Sequence, residues 1–589
     1  TELYETNNQA IRSLKIKAPG EILGPDLVPT KIDLSALTTD PSTLSVSGSA
    51  AVTFQNKGDD KITSSFSVLV FEDTDLDGAY TPGLDNVLGT GTNTLSLWPE
   101  GAGLVNVTLS GAVKFLNAPV YALIDSSDSI REQSETNNII RSCDDCEKRP
   151  ENPIEPVRKW TWSGRGMPIP RPVLVTNLTD DNGDGKIDEK DIPDIVFVTT
   201  IYYGYGRLWA VRGDTGETIF TIYDGNHRLE QVTAIAAGDI DNDGLPELVL
   251  PRDGYNGRDG LIVYEHDGTL KWDNAQVVAS WNSTHWQPAT IYDYSIPVIA
   301  DIEADGTPEI IVGSTVFNAD GSIRWVTGIW VPGYGFTGTG SLYGWTYSST
   351  VADVDLDGKQ EIVAGNAAYK FDGTTMWWNS SVGDGINAIG NFDDDAYPEI
   401  VLMTAGSGWP PHALIYLLEH DGKIKWGPVD LKNLEPTNAS LIGSPPVIAD
   451  FDGDGEPEIG IRGVDKFFVL SKNGNLKYSY SGLFTSGQPT YSRTYSAPTV
   501  FDLNGDGRPE VLFNNNVNFK IFDGKDGILL YEDKFGDYAG YQNVTVADID
   551  GDGHAEAVVS GYDLTAGYGG ESLRVYKAKN DDWVNARKI

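Results

Sequence analysis

Sulfur is almost absent from this chain: 589 residues carry 2 cysteines and 3 methionines. Histidine is nearly as scarce, at 6, and no Gly-x-Ser-x-Gly elbow occurs. Zinc-dependent and serine- or histidine-driven hydrolysis therefore lack their usual residues. Positive charge is also short, with 43 basic residues against 85 acidic ones and a net charge of −42. Nucleic acid and anionic membrane surfaces would both repel such a chain. No run of about 18 apolar residues exists, which excludes membrane insertion by a helix. What is present points elsewhere. Apolar residues make up 40% and aromatics 10%, so the acidity is not that of a disordered chain. With 65 glycines and 31 prolines the chain is rich in turns, and its length calls for several domains or a large repeat.

Residues 17–146 read as a small β-sandwich. Short alternating strands are expected at 27–34, 44–54, 64–72, 103–110, 119–125 and 136–142. Within it, Asp73, Asp75 and Asp77 alternate before Gly78, and Asp85 follows, which is the carboxylate spacing of a calcium loop. Cys143 and Cys146 close the segment. A redox pair would sit at a helix start and zinc would need two more ligands, so a structural disulfide is expected, and with it an extracellular or cell-surface location. A linker follows over 147–156. The tetrapeptide Glu5-Thr6-Asn7-Asn8 recurs as Glu135-Thr136-Asn137-Asn138 at the end of the sandwich. Residues 1–16 therefore read as a strand belonging to a preceding or neighbouring sandwich domain, which allows self-assembly into a filament by β-strand addition.

Residues 157–589 repeat an acidic loop eight times. The copies are Asp239/Asp241/Asp243/Glu247, Asp301/Glu303/Asp305/Glu309, Asp353/Asp355/Asp357/Glu361, a degenerate Asn391/Asp393/Asp395/Glu399, Asp450/Asp452/Asp454/Glu458, Asp502/Asn504/Asp506/Glu510 and Asp548/Asp550/Asp552/Glu556. The first copy is longer, with Asp180, Asn182, Asp184, Asp188 and Asp191 at the spacing of a twelve-residue calcium loop. Carboxylates at alternate positions converge on one point, a glycine permits the bend, and a final acidic residue closes a shell of hard oxygens. About eight or nine Ca2+ ions are expected, counting the sandwich loop, which would bring the net charge of −42 to about −24. Between the loops run Asp-Gly hairpins whose second strand often ends in Trp, from Leu208–Phe220 through Ile262–Trp272 to a last one at Leu573–Trp583. Two loops' worth of strands per unit, at about 54 residues each, describe an eight-bladed β-propeller.

The motifs of 157–589 resemble those of the FG-GAP/VCBS propellers, the repeat class of integrin α-chain heads. The resemblance rests on the Asp-x-Asp-x-Asp-Gly-x-x-Glu loops, and it implies that each loop binds calcium between the first two strands of a blade. The sandwich resembles the CARDB modules, immunoglobulin-like and adhesion-related, through Pro25-Asp26-Leu27-Val28, Phe54-Gln55-Asn56-Lys57-Gly58 and the closing Glu-Thr-Asn-Asn. Strand parity then sends the long loops to the face away from calcium. They carry Trp281, Trp286, Trp330, Tyr334, Trp345, Trp409 and Tyr491, which suit stacking on sugar rings. The expected fold is all-β, a sandwich followed by an eight-bladed propeller. The expected work is adhesion or surface assembly through a glycan or surface protein, without catalysis. The other class is a polysaccharide lyase of the calcium-dependent eight-bladed type, for which His285, His412 and Arg493 are the scattered candidates. Arg212-Gly213-Asp214 reads as a hairpin turn, and the abrupt end within the last outer strand reads as that of a fragment.

Overall fold

The computed structural model describes residues 24–39, 45–74, 79–82, 85–99, 101–113, 120–127, 129–134, 137–142, 154–164, 167–200, 204–231, 234–253, 260–274, 295–331, 335–342, 346–393, 395–406, 412–435, 443–481, 497–515, 517–536, 543–561, 570–580, 583–584 and 586–587. The chain divides into two compact units, Thr1–Glu151 and Asn152–Ile589. Both are built of antiparallel strands, and the one α-helix among the described residues is a single turn at Leu431–Leu434.

The first unit holds two sheets around one apolar core. One orders Leu27–Thr39, Ser45–Asn56 and Ala102–Ala112; the other orders Asn86–Asn93, Phe66–Glu72, Val120–Ile124 and Ile139–Arg141. Alternation supplies the core: Ala50, Val52 and Phe54 point inward on one strand and Val105, Val107 and Leu109 on its neighbour. Asn86–Asn93 is not among the expected strands, because its glycines and asparagines carry little β-propensity. Gly89 and Gly91 are required there by close packing: a Cβ at Gly89 would lie 2.4 Å from the Thr108 carbonyl oxygen, and one at Gly91 2.7 Å from Val105. The three short motifs of this unit meet in space. Asn56 Oδ1 accepts from the N–H groups of Asp26 and Gly58, both at 3.1 Å, and Asn137 Nδ2 donates to Asp26 Oδ1 at 3.0 Å. Residues 1–16, Cys143 and Cys146 lie outside the described residues.

The second unit contains eight four-stranded sheets among the described residues, seven of them running in chain order. In sequence they comprise Leu174–Thr176, Asp194–Thr199, Arg207–Arg212 and Thr218–Ile222; Ala236–Gly238, Glu247–Pro251, Leu261–Tyr264 and Leu270–Asn274; Pro297–Ala300, Glu309–Val312, Thr315–Phe317 and Ile323–Val326; Thr350–Ala352, Glu361–Ala364, Ala367–Tyr369 and Thr375–Trp378. The next three are Gly385–Gly390, Glu399–Ala405, Ala413–Leu418 and Ile424–Asp430; Val447–Ala449, Glu458–Arg462, Lys466–Leu470 and Leu476–Ser481; Thr499–Phe501, Glu510–Asn514, Phe519–Asp523 and Leu529–Asp533. The eighth joins Val544–Ala547, Glu556–Ser560 and Leu573–Ala578 to Pro156–Trp162, the first strand of the unit.

This closure corrects the expected last hairpin. Leu573 pairs with Trp162 and Ala578 with Pro156, so the outer strand of the eighth sheet arrives from more than 400 residues upstream rather than from the C-terminal segment. Trp583 instead packs between the seventh and eighth sheets. The long loop expected to carry Trp330 also contains structure, in the two-stranded ribbons Ile329–Val331 with Gly335–Thr337 and Ser341–Leu342 with Thr346–Tyr347.

Second and third strands read as continuous apolar runs because neighbouring sheets cover both their faces. An apolar cluster fills each junction: sheets one to two, two to three, three to four, four to five, five to six, six to seven and seven to eight. One more joins eight back to one, where Trp162 packs edge-on against Phe197, 4.8 Å between ring centroids, and against Trp209.

The recurring Trp fastens these junctions. In the fourth strands, Trp272 donates its indole N–H to Ala319 O, Trp325 to Phe371 O, Trp377 to His420 O and Trp426 to Lys472 O, at 2.8–2.9 Å, each acceptor lying in the Asp-Gly or Asn-Gly turn of the next sheet. Trp160 of the eighth sheet does the same to Gly213 O in the first. The turn glycine lies over the indole: a Cβ on Gly422, whose φ is +80°, would sit 2.5 Å from the Trp377 ring. Replacing Trp325 by Phe keeps a six-membered aromatic ring but removes the indole N–H that meets the Phe371 carbonyl, so a loss of about 1–2 kcal/mol is expected in urea denaturation.

Candidate metal centres in the acidic loops

Each acidic loop joins the first and second strands of its sheet, and each Asp-Gly turn joins the third and fourth. The loops share one internal wiring. The first Asp accepts the N–H of the glycine five residues on, as in Gly244 to Asp239 at 2.9 Å, Gly306 to Asp301 at 2.7 Å, Gly358 to Asp353 at 2.9 Å, Gly455 to Asp450, Gly507 to Asp502 and Gly553 to Asp548. Gly185 bonds Asp180 in the first sheet at the same spacing. The third carboxylate caps the residue two further on, as Asp243 does for Leu245 and Asp305 for Thr307. In the degenerate copy Asn391 instead donates to Asp395 O and accepts from Asp393 N–H, because Ala396 replaces the glycine.

The closing glutamate begins the second strand and is buried in all seven loops that have one. Its Oε2 accepts the N–H of the loop's second residue: Ile240 to Glu247, Ile302 to Glu309, Val354 to Glu361, Phe392 to Glu399, Phe451 to Glu458, Leu503 to Glu510 and Ile549 to Glu556. In the first sheet Asp194 holds this place, taking the Leu178 N–H at 3.0 Å. It is a residue the loop spacing does not single out. Asp191 turns inward and accepts from the N–H groups of Asp181, Asn182 and Asp188. Asp188 caps Lys190, and Asp184 caps Lys186.

Three carboxylates come together with oxygens within 4.8 Å of one another in Asp239/Asp241/Glu247, Asp353/Asp355/Asp357, Asp393/Asp395/Glu399 and Asp450/Asp452/Glu458. Glu265, from the end of a third strand, joins Asp243 and Glu247 in a further group. An all-oxygen donor set of this kind fits a hard divalent cation such as calcium. The eighth loop shares the common wiring at Asp552. That residue is exposed, and its Oδ1 caps the His554 N–H at 2.9 Å. Lys159 pairs with both Asp550 and Glu556 in this loop. Burial raises three of the closing carboxylates with no basic side chain on them: Asp194 and Glu361 are each pushed up to about 7, and Glu510 to about 8. The nearby Asp355 and Asp357 add to the shift at Glu361, and Asp502 and Asp506 to that at Glu510.

Basic residues inside the loops are not among the expected site residues. Lys271 bonds Glu247 and Glu265 and pairs with Asp241; Arg324 pairs with Glu303 and Glu309; Lys425 with Asp393 and Glu399; Lys477 with Asp452, Asp454 and Glu458; Lys159 with Asp550 and Glu556. A repeated signal marks them: each precedes the fourth-strand aromatic, in Lys271-Trp272, Arg324-Trp325, Lys425-Trp426, Lys477-Tyr478 and Lys159-Trp160.

In the first unit, Asp85 accepts from Thr74 and Thr81 N–H at 2.9 and 2.7 Å, and Asp73 is buried. Asp75 and Asp77 lie outside the described residues. So do Trp281, Trp286, Tyr334, Trp345, Trp409, Tyr491, His285 and Arg493; Trp330 falls in the strand Ile329–Val331. On that opposite side of the first sheet, Tyr205 and Tyr223 stack with centroids 4.4 Å apart, Arg207 lies over Tyr223 at 4.6 Å and Arg228 over Tyr205 at 4.7 Å. His412 is buried, its Nε2 3.6 Å from Asp430. Arg212 pairs with Asp214 and Asp181 and Gly213 N–H bonds Pro193 O, so this triplet is a tied turn.

No helix among the described residues is long and apolar enough to cross a membrane. The FG-GAP-like repeat family matches residues 502–559. No curated protein sequence matches the chain. Among solved structures, the Vibrio cholerae biofilm matrix protein Bap1 is similar over 74% of this chain and 93% of its own, at 19% identity and a TM-score of 0.56. The Bacillus licheniformis rhamnogalacturonan lyase PL11 is similar over 96% of this chain and 91% of its own, at 18% identity and a TM-score of 0.48. The chain is thus all-β, carries an FG-GAP-like repeat at 502–559, and shares its fold with a biofilm matrix protein.

Proposed function

We propose that this chain is an extracellular, calcium-stabilised adhesion or surface-assembly protein. In this reading the second unit is an eight-bladed β-propeller of the FG-GAP/VCBS kind and the first an immunoglobulin-like, CARDB-type sandwich. The observation that carries it is the cycle of eight sheets, each with its acidic loop at the same end, packed one on the next and the eighth on the first. One end is then committed to short, wired loops, and the other is left to long aromatic loops. Arg207 and Arg228, held over the stacked Tyr223 and Tyr205, put planar guanidinium groups at that end, which suit an acidic glycan; Arg228 also pairs with Asp253 at 2.6 Å. Catalysis has less support, since His412 is buried against Asp430.

A glycan array probed with the intact protein in calcium tests the reading. Binding to acidic glycans that falls at least tenfold in Arg228→Ala is expected. Absence of binding to any glycan, with growth of ultraviolet absorbance from unsaturated uronates on a pectin panel, would replace adhesion by lyase chemistry.

A further inference from the structure

The eight loops differ in how they treat one atom. The buried carboxylate that opens each second strand spends one oxygen on the loop's second N–H, and the other oxygen lies where water does not reach. A buried anion so placed needs a partner. Five sheets supply it from the residue before the fourth-strand aromatic: Lys271 on Glu247 Oε1 at 3.0 Å, Arg324 on Glu309 Oε1, Lys425 on Glu399 Oε1 at 2.9 Å, Lys477 on Glu458 Oε1 at 2.8 Å and Lys159 on Glu556 Oε1 at 3.0 Å. The same position is Ile219 in the first sheet, Met376 in the fourth and Leu530 in the seventh. The seventh compensates from within its loop, through Asn504 Nδ2 at 3.0 Å from Glu510 Oε1. The first and fourth do not: Asp194 Oδ1 and Glu361 Oε1 have no hydrogen-bond partner, and both residues are 0% exposed. Among the described residues, basic side chains pair in these two loops with other carboxylates, Arg212 with Asp181 and Lys370 with Asp355 and Asp357, the latter two 2.8 and 3.2 Å away.

We propose that the residue before the fourth-strand aromatic decides how each loop is neutralised. Five loops are closed by the chain's own lysine or arginine, while the loops of the first and fourth sheets, ending on Asp194 and Glu361, depend on a bound divalent cation. The inference rests on the calcium reading of the loops and divides it. In the fourth sheet the oxygens of Asp353, Asp355 and Asp357 already lie within 4.8 Å of one another, and Glu361, whose pKa Asp355 and Asp357 both raise, offers that loop one further hard donor. Charge bookkeeping agrees: a lysine at position 376 would bring to Glu361 what Lys271 brings to Glu247.

Two reciprocal substitutions in the full chain test this, read by calorimetric calcium titration and by the calcium-induced change in Tm. Met376→Lys is expected to remove one tight calcium from the stoichiometry and to shrink the calcium-induced rise in Tm. Lys271→Met is expected to do the reverse, adding a calcium-dependent loop in the second sheet; it also reads the proposal if Met376→Lys fails to fold. Wild-type stoichiometry and the same Tm response in the folded variants would overturn the division while leaving calcium binding intact. A wild-type chain that takes up no calcium would overturn the calcium reading itself, and this inference with it.

Discussion

Deleting Pro156–Trp162 is expected to abolish the cooperative melt of the second unit, not merely to lower it. The strand is the outer edge of the eighth sheet and carries three separate fastenings. Trp162 fills the junction between the eighth and first sheets beside Phe197 and Trp209, and loss of a buried Trp alone costs about 3–5 kcal/mol. Trp160 donates to Gly213 O. Lys159 neutralises Glu556, which is 1% exposed, and breaking a buried pair from one side costs about 3–5 kcal/mol. Together with the unpaired edge of Leu573–Ala578, these losses reach the whole stability of about 5–15 kcal/mol typical of a folded domain. Near-ultraviolet circular dichroism during heating would read the outcome. A deletion variant with the wild-type spectrum and a Tm within a few degrees would mean that the cycle does not need this strand.

Stripping divalent ions is expected to lower Tm by about 5–10 °C at neutral pH. Two dependent loops, each at free calcium about 100 times Kd, contribute about 5 kcal/mol together, and each kcal/mol moves the Tm of a large unit by a degree or two. The loss should itself depend on pH, with a definite sign. Asp194 and Glu361 are raised to about 7 and Glu510 to about 8 in the folded chain, against ordinary carboxylate values near 4 in the unfolded one. Between these limits the unfolded chain has released protons that the folded chain still holds, so stability falls as pH rises. In chelator, Tm should decline from about pH 5 to pH 8; in calcium the decline should flatten, because the ion takes the proton's place. A chelated chain that grows more stable over that range would contradict the assignment of these carboxylates.

Much of this is written in local sequence. The Asp-x-Asp-x-Asp-Gly loops announce themselves because side-chain wiring within five residues fixes the bend, and the Asp-Gly hairpins because their turns demand a left-handed glycine such as Gly422. Spacing alone does not say which carboxylates of a loop turn inward. Asp357 and Asp552 hold the same place in their motifs and both are exposed, while Glu361 and Glu556 are buried. The closing strand does not show itself, since Trp162 finds Leu573 only through the three-dimensional path of everything between them. Asn86–Asn93 is hidden by glycines whose reason is a neighbour's carbonyl. Asp194 lies fourteen residues after Asp180, beyond the loop spacing, and is recognised only by its bond to Leu178. The lysines are legible as dipeptides, yet their target glutamates lie more than twenty residues away except in Arg324, Lys477 and their pairs, where the hairpin is shortest.

The central claim is that the acidic loops are metal centres on which the cycle of sheets leans. Calcium titration into the chelator-stripped full chain, followed by a melt of the same sample, tests it most directly. Saturable uptake of at least two ions per chain with a matching rise in Tm is the predicted result. A chain that takes up no calcium and melts identically with and without chelator would contradict it.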